Sequence, residues 1–145
     1  MRLTAGSYRE MHWHTADEWA YVLYGNARVT VMNPDGTMFI GDVGEGDLWL
    51  FPAGFPHSIQ GLGPDGTEFL LVFNQGNFSE DGTMLLSETV AHIPPEVLAK
   101  NTGLDKSVFA QRPWRHSTSF PVACPTGIAI RQDCRIASAR TSVLD

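Results

Sequence analysis

Residues 6–25 read GSYREMHWHTADEWAYVLYG, and residues 46–61 read GDLWLFPAGFPHSIQG. Each stretch carries histidine within a run of aromatic and aliphatic residues, and glycine or proline interrupts the run at short intervals. Aromatic and β-branched residues favour strands, whereas Gly and Pro favour the turns between strands. The two stretches therefore predict short strands that hold histidine side chains in place.

Four side chains in these stretches form a candidate metal site. His12 and His14 are two positions apart, so on a strand both imidazoles face the same way. Glu18 follows across a short bend at residues 15–17, and His57 lies on a later strand behind a Pro/Gly-rich bend. Three imidazoles and one carboxylate would leave two positions of an octahedral ion for solvent or substrate. This donor set suits manganese or iron and also accepts zinc, nickel or copper.

The first 93 residues as a whole read as short strands separated by turns. The chain contains 14 Gly and 9 Pro in small clusters, which suits many short strands better than a few long helices. We expect strands at residues 10–14, 19–24, 27–32, 37–43, 47–51, 57–60, 67–73 and 83–90. About eight short strands with turns between them predict an all-β fold, a barrel or jelly roll.

The pattern changes after residue 93. Residues 94–100 read PPEVLAK, with proline at the start, an acid in the first turn and a base in the last, which predicts a helix. Residues 104–110 indicate one or two further helical turns. Residues 111–145 hold five Arg and two Asp, whereas residues 1–110 hold five basic and fourteen acidic residues, a net charge of −9. We therefore expect a β-barrel with C-terminal helical turns at 1–110 and an atypical, loosely ordered tail at 111–145.

Composition argues against several functional classes. A chain of 145 residues has room for one domain. No apolar run reaches the ~20 residues of a membrane span, and the first residues lack an apolar signal region, so we expect a cytoplasmic protein with no membrane partner. The net charge of −6 argues against a nucleic-acid partner. Cys124 and Cys134 do not make a disulfide framework, and their spacing from His116 does not make a zinc site.

A His-x-His pair alone is a weak indication of a metal, but here it belongs to a longer pattern. The pattern is Gly6, His12, His14, Glu18 and Gly25, followed later in the chain by Gly46, Pro52, Gly54 and His57. In its spacing it resembles the two motifs of the cupin superfamily, from residue 6 to residue 61. The second motif departs at Gly61, where the family usually has asparagine, and this departure affects a turn rather than a ligand. The resemblance implies a cupin β-barrel, a double-stranded β-helix or jelly roll, with a short C-terminal helical segment.

Within the superfamily, residues 2–110 look like the N-terminal cupin of bacterial oxalate decarboxylases. The resemblance is carried by residues 9–14, 18–21, 46–49, 51–60 and 68–73. It implies that the four candidate ligands bind Mn²⁺ and that Arg9 holds a carboxylate of the substrate, oxalate. A lid at residues 79–83 would supply the catalytic acid Glu80, which protonates carbon so that formate and CO₂ are produced. Dioxygen would act as a co-catalyst.

Other interpretations of these residues stay open. By spacing alone, Arg9 could be a surface residue paired with Glu10, and Glu80 could be a solvated loop acid. An oxalate oxidase, which yields CO₂ and hydrogen peroxide, and a metal-binding cupin remnant without catalysis are the alternative functions. We expect Trp13 to face away from the site and His92 to be structural.

The resemblance also predicts the assembly. Members of the resembled family normally carry two cupins in one chain, whereas one cupin matches here. Residues 1–3 correspond to the middle of a family strand, so we expect the first strands to be missing. A missing strand leaves an unpaired sheet edge, which invites association. We therefore expect a homo-oligomer that covers this edge.

Overall fold

The computed structural model describes residues 1–110, which form eight strands, two α-helices and two 3₁₀ turns. The strands are β1 (Arg2–Leu3), β2 (Tyr8–Trp13), β3 (Glu18–Met32), β4 (Met38–Gly44), β5 (Leu48–Phe51), β6 (His57–Gly61), β7 (Thr67–Phe73) and β8 (Met84–Leu85). The helices are α1 (Leu86–His92) and α2 (Pro95–Thr102), and the 3₁₀ turns span Glu80–Gly82 and Lys106–Phe109. Within this part of the chain, no helix has the length and apolar character needed to cross a membrane.

The fold is organised around β3, a strand of 15 residues. Its first half, residues 18–25, pairs with β5 and β7, and its second half, residues 26–32, pairs with β4 and β6. β2 pairs with β6 and β8, and β1 pairs with β7, with every pairing antiparallel. The strands form a curled antiparallel sheet of half-barrel shape, which confirms the predicted all-β class.

The core lies on the concave side of this sheet. Alternate side chains of β3 point into it, and they pack against side chains from β5, β6 and β7. The fully or nearly fully buried members of this core, which also includes Leu3 of β1, are Leu3, Ala20, Val22, Ala27, Val29, Val31, Trp49, Phe51, Ile59 and Phe69. Burying a large side chain of this kind stabilises the fold by roughly 1.5–3 kcal/mol. Phe51 also stacks on His57, with ring centroids 4.1 Å apart, so the core supports one wall of the candidate site.

The turn predicted between the strands at residues 19–24 and 27–32 was wrong, because β3 runs through Gly25 and Asn26 without turning back. Gly25 has φ of 71°, and a Cβ atom at this position would lie 2.1 Å from the carbonyl oxygen of Gly66. Glycine is required both for this backbone conformation and for this close approach. Gly25 therefore lets one strand pass from one half of the sheet to the other.

The strand predicted at residues 83–90 was also wrong over most of its length. β8 covers Met84–Leu85 only, and α1 follows directly. The charge pattern of α1 is that of a helix, since Glu88 lies in the first turn and His92 in the last. The helix predicted at residues 94–100 is confirmed as α2, which ends at Gly103 in the left-handed conformation. The predicted tail, with His116, Cys124 and Cys134, lies outside the described residues.

Candidate metal centre

The four predicted ligands lie at one place in the curled sheet. His12, near the end of β2, is the register partner of His57, the first residue of β6. His14 and Glu18 flank the bend at residues 15–17, and Glu18 is the first residue of β3. Strand pairing therefore brings His12 next to His57. The short bend at residues 15–17 separates His14 from Glu18 by only three residues.

The ligand atoms of these four residues all lie within 4.8 Å of one another. Nε2 of His14 is 3.0 Å from Oε2 of Glu18, and Nε2 of His57 is 3.6 Å from the same oxygen. The four residues are only 1–4% exposed. Atoms that bind one ion at about 2.0–2.3 Å lie roughly 3–4.6 Å apart, so the cluster has the dimensions of a coordination sphere.

Hydrogen bonds from Nδ1 orient all three imidazoles of the cluster. In each ring Nδ1 donates to a backbone carbonyl two residues away: His12 to Glu10 (2.7 Å), His14 to Ala16 (2.8 Å) and His57 to Phe55 (2.7 Å). A carbonyl oxygen only accepts, so Nδ1 carries a proton in each ring and Nε2 is the nitrogen left to face a metal. In His14, Nε2 contacts Oε2 of Glu18 at 3.0 Å. Metal-ligating histidines have their tautomer and orientation fixed in this way.

Two buried atoms of the cluster have no hydrogen-bond partner among residues 1–110, Oε1 of Glu18 and Nε2 of His57. An unsatisfied polar atom in a protein interior costs roughly 1–3 kcal/mol. A divalent cation at the centre of the cluster would contact both atoms. The donor set therefore fits a metal ion.

The protonation states of the cluster also suit a metal. Burial would raise the pKa of the Glu18 carboxyl, but the hydrogen bond with His14 and the nearby His57 ring hold it at about 2. Burial, together with the charge of His57, lowers the pKa of His12 to about 3. Burial also lowers the pKa of His14, but the hydrogen bond to Glu18 outweighs it and the net shift is upward. Without metal, His14 therefore holds a proton more strongly than His12 does, and a metal would displace that proton.

Arg9 and Glu80 meet in the pocket that His12, His14 and Glu18 also line. Nη2 of Arg9 donates to Oε2 of Glu80 across 2.9 Å, and the two side chains are 18% and 47% exposed. Arg9 belongs to β2, and Glu80 opens the first 3₁₀ turn. Arg9 and Glu80 therefore lie together in a pocket that three of the candidate ligands also line.

The alternative interpretation of Arg9 is not supported, because the ion pair forms with Glu80 rather than with Glu10. Oε2 of Glu10 instead accepts from the backbone N–H of Ser87 at 3.4 Å. Trp13 is half-buried, and its register partner is Met84 of β8. These contacts set Glu10 and Trp13 apart from the pocket lining.

The sequence analysis missed Phe73 and Phe78, which line the same pocket. Their rings stack with centroids 3.8 Å apart and an interplanar angle of 4°. Each ring also meets His14 edge to face, with centroids 5.4 Å apart. The sequence offered one indication of this pair. Phe78 is a single aromatic residue in the Gly/Asn/Ser-rich loop that begins at residue 74, and such a ring needs an apolar partner.

Fold and site together define a small protein built on a curled antiparallel sheet of half-barrel shape, with three histidines and one glutamate clustered and buried in it. The sequence profile described as Cupin matches residues 1–109. The chain belongs to the cupin family.

Several known proteins are similar to this chain. Oxalate decarboxylase OxdC of Bacillus subtilis is 51% identical over 125 residues, which cover 86% of this chain and 32% of that protein. A probable oxalate decarboxylase of Arthroderma benhamiae is 40% identical over 110 residues, 75% of this chain and 27% of that protein. A solved structure of the B. subtilis enzyme, concerned with its Mn(II) centres, has a TM-score of 0.75 at 52% identity and covers 80% of this chain and 30% of that one. The chain thus spans between about a quarter and a third of the length of these relatives.

Proposed function

We propose that this chain is an oxalate decarboxylase-type cupin, which converts oxalate to formate and CO₂ with bound manganese. The observation that carries the proposal is the Arg9–Glu80 pair in the pocket of the candidate metal centre. It combines a cation that can bind a carboxylate with an acid that can deliver a proton. Relatives named as oxalate decarboxylases, at 51% and 40% identity, support the same reaction.

The metal would be held by Nε2 of His12, His14 and His57 and by a carboxylate oxygen of Glu18. The Mn(II) centres of the B. subtilis enzyme support manganese, and iron, nickel, copper or zinc would fit the same donors. When bound, the ion supplies two open coordination positions for oxalate and, with dioxygen as co-catalyst, one-electron chemistry.

Arg9 would bind and orient oxalate. Its guanidinium is always charged and presents a planar fork of donors that matches a carboxylate. Only Nη2 is used by Glu80, so the remaining donors can bind substrate. The side chain is 18% exposed, and its attraction for an anion is therefore screened less than that of a surface arginine.

Glu80 would be the general acid. Loss of CO₂ breaks the carbon–carbon bond of oxalate, and the one-carbon fragment that stays behind needs a proton at carbon to become formate. While it is paired with Arg9, Glu80 is a carboxylate, so it first takes up a proton from water, to which its half-exposed side chain has access. It then gives that proton to carbon and returns to the carboxylate form. The stacked rings of Phe73 and Phe78 exclude water from the side of His14 while the fragment waits for the proton.

A second candidate is an oxalate oxidase, which yields CO₂ and hydrogen peroxide. The observation that favours it is the exposure of the first 3₁₀ turn, in which no residue is buried. An open lid at residues 79–83 would fail to deliver the proton, and the fragment would be oxidised instead.

A cupin that binds metal without catalysis is the third candidate. Measuring formate and peroxide made from oxalate, on protein of known metal content, separates the three.

Turnover of oxalate is expected to rise in proportion to manganese content across preparations of the protein. Manganese lies at the weak end of the divalent affinity order, so purified protein is expected to carry other metals as well. The zinc-loaded form should give no formate above background, because zinc has no accessible one-electron couple. Metal analysis together with a formate assay checks this, and equal turnover by the zinc form would contradict the proposed chemistry.

We also propose that the protein is a homo-oligomer. The outward side chains of β5, β3 and β7 form two apolar cross-strand rows, Leu50–Trp19–Val72 and Leu48–Tyr21–Leu70, in which each residue is 41–57% exposed. A contiguous apolar surface of this kind is typical of an interaction site. It offers a broader contact than the sheet edge expected from the sequence.

Light scattering at micromolar concentration is expected to give at least the mass of a dimer. Tyr21→Glu, in the centre of the apolar rows, should shift the protein toward a monomer, because a charge would be buried at the contact. Ile40→Glu on β4 is the matched control, since Ile40 is similarly exposed but lies outside the rows. A stable monomer of the parent protein would contradict the proposed assembly.

A further inference from the structure

The bend at residues 15–17 connects His14 to Glu18 and belongs to no strand. Its middle residue, Ala16, is fully buried, and the Ala16 carbonyl accepts the hydrogen bond from Nδ1 of His14. The path of this bend therefore sets the orientation of two proposed ligands. Contacts from outside the strand ladder must hold it in place.

Asp17 makes those contacts. Its Oδ1 accepts from the backbone N–H of Ala53 at 2.7 Å, and its Oδ2 accepts from Nδ2 of Asn74 at 2.6 Å. The backbone N–H of Asp17 donates to Oδ1 of Asn74 at 3.0 Å, and the Asp17 carbonyl accepts from the N–H of Asn74 at 3.3 Å. We call the three residues Asp17, Ala53 and Asn74 the Asp17 bridge.

Neighbouring bonds run between the same segments. The backbone N–H of Gly54 donates to the carbonyl of His14 at 2.8 Å. Nε2 of Gln75 donates to the carbonyl of Thr15 at 3.1 Å. The bend is thus tied on one side to the segment 53–54 and on the other to the segment 74–75.

Each of the two segments leads to a part of the site. Ala53 lies four residues before His57, in the turn that brings this histidine to the cluster. Asn74 begins the loop that carries Phe78 and Glu80. We propose that Asp17 is a positioning residue. It couples the bend between His14 and Glu18 to the segment that leads to His57 and to the loop that carries Glu80. This inference rests on the metal centre of the proposed function but not on oxalate as the substrate.

The hydrogen bonds of the bridge allow a reciprocal test. In Asp17→Asn, a new side-chain N–H₂ would face Nδ2 of Asn74, so that two donors would oppose each other. In Asn74→Asp, two carboxylates would face each other across the present 2.6 Å contact. In the double variant D17N/N74D, the amide and the carboxylate exchange places, and each bond of the bridge can form again.

Manganese affinity and the EPR spectrum of bound Mn²⁺ are the measurements, both made on the full chain after metal removal and titration with Mn²⁺ alone. Each single variant is expected to bind Mn²⁺ about 10–100-fold more weakly, as for other residues that orient metal ligands, and to give an altered spectrum. The double variant should recover the parent spectrum and an affinity within about threefold of the parent. Asp35→Asn is the matched control, since Asp35 also accepts a backbone N–H, from Thr37 at 2.9 Å, in a different turn.

Parent-like affinity and spectrum in both single variants would overturn the inference, as would a double variant that stays as weak as Asp17→Asn. If Asp17→Asn fails to fold, Asn74→Ala keeps the carboxylate and its bond to Ala53 and should still alter the spectrum. An unchanged spectrum in Asn74→Ala would then overturn the inference. A parent protein that binds Mn²⁺ but leaves oxalate intact would contradict the proposed reaction only, whereas one that binds no Mn²⁺ would overturn both.

Discussion

Replacing Glu18 with glutamine is expected to weaken Mn²⁺ binding more than about 100-fold and to abolish oxalate turnover. Glu18 is the only carboxylate among the four candidate ligands, and its lowered pKa of about 2 keeps it charged at any working pH. Glutamine keeps the size of the side chain but removes the charge that offsets the cation in a buried site. The loss should exceed the roughly 10–100-fold effect of changing a residue that only orients a ligand.

Titration of metal-free protein with Mn²⁺, followed by EPR, measures the effect of Glu18→Gln. Glu45→Gln removes the same charge from an exposed turn residue and should bind as the parent does. Circular dichroism of the metal-free proteins checks that Glu18→Gln folds, which we expect because the amide can still meet His14. Parent-like affinity for Mn²⁺ in a folded Glu18→Gln protein would show that the metal does not bind at Glu18.

Most of the strands, and the closeness of His12, His14 and Glu18, were predictable because they depend on local pattern. His57 was added to the cluster by the spacing of the cupin motifs. Two histidines at i and i+2 share a face of any strand, and the spacing to Glu18 leaves only a short bend. Phe51 and Phe69 lie in stretches of apolar residues, and both are buried. Local alternation and turn residues are sufficient for such features, since each depends on a few neighbouring positions.

The continuity of β3 could not be read from local pattern. Gly25 followed by Asn26 is typical of a turn, and the reason for glycine is instead the carbonyl of Gly66, 41 positions further along the chain. Likewise, residues 83–90 contain Thr and Val, which favour strands, but the helical segment α1 takes most of them. In both places a contact or charge pattern beyond the local propensity decides the structure.

The site was predicted as a set of residues but not as a network. The carbonyls that orient the imidazoles come from Glu10, Ala16 and Phe55, and nothing in a backbone carbonyl distinguishes them in the sequence. The Asp17 bridge joins Asp17 to Ala53, which lies 36 positions later in the chain, and to Asn74, which lies 57 positions later. Contacts of this kind depend on how loops from different strands meet, and this requires the three-dimensional structure.

Replacing Glu80 with glutamine is expected to lower formate production by about 10²–10⁴-fold, the usual contribution of a general acid. Glutamine keeps the size of the side chain and can still accept a hydrogen bond from Nη2 of Arg9, but it has no transferable proton. Mn²⁺ affinity should be nearly unchanged, because Glu80 is not among the clustered ligands. The fragment left after loss of CO₂ should then be oxidised, so hydrogen peroxide per oxalate consumed should rise.

Asp81→Asn is the matched control for Glu80→Gln. It removes one negative charge from the same 3₁₀ turn, but Asp81 does not line the pocket with Arg9 and the candidate ligands. Formate output should therefore stay near the parent level in Asp81→Asn. Formate output that survives in Glu80→Gln would mean that another group supplies the proton. Peroxide as the main product of the parent would instead identify an oxidase, because the Glu80 proton would then not reach carbon before oxidation.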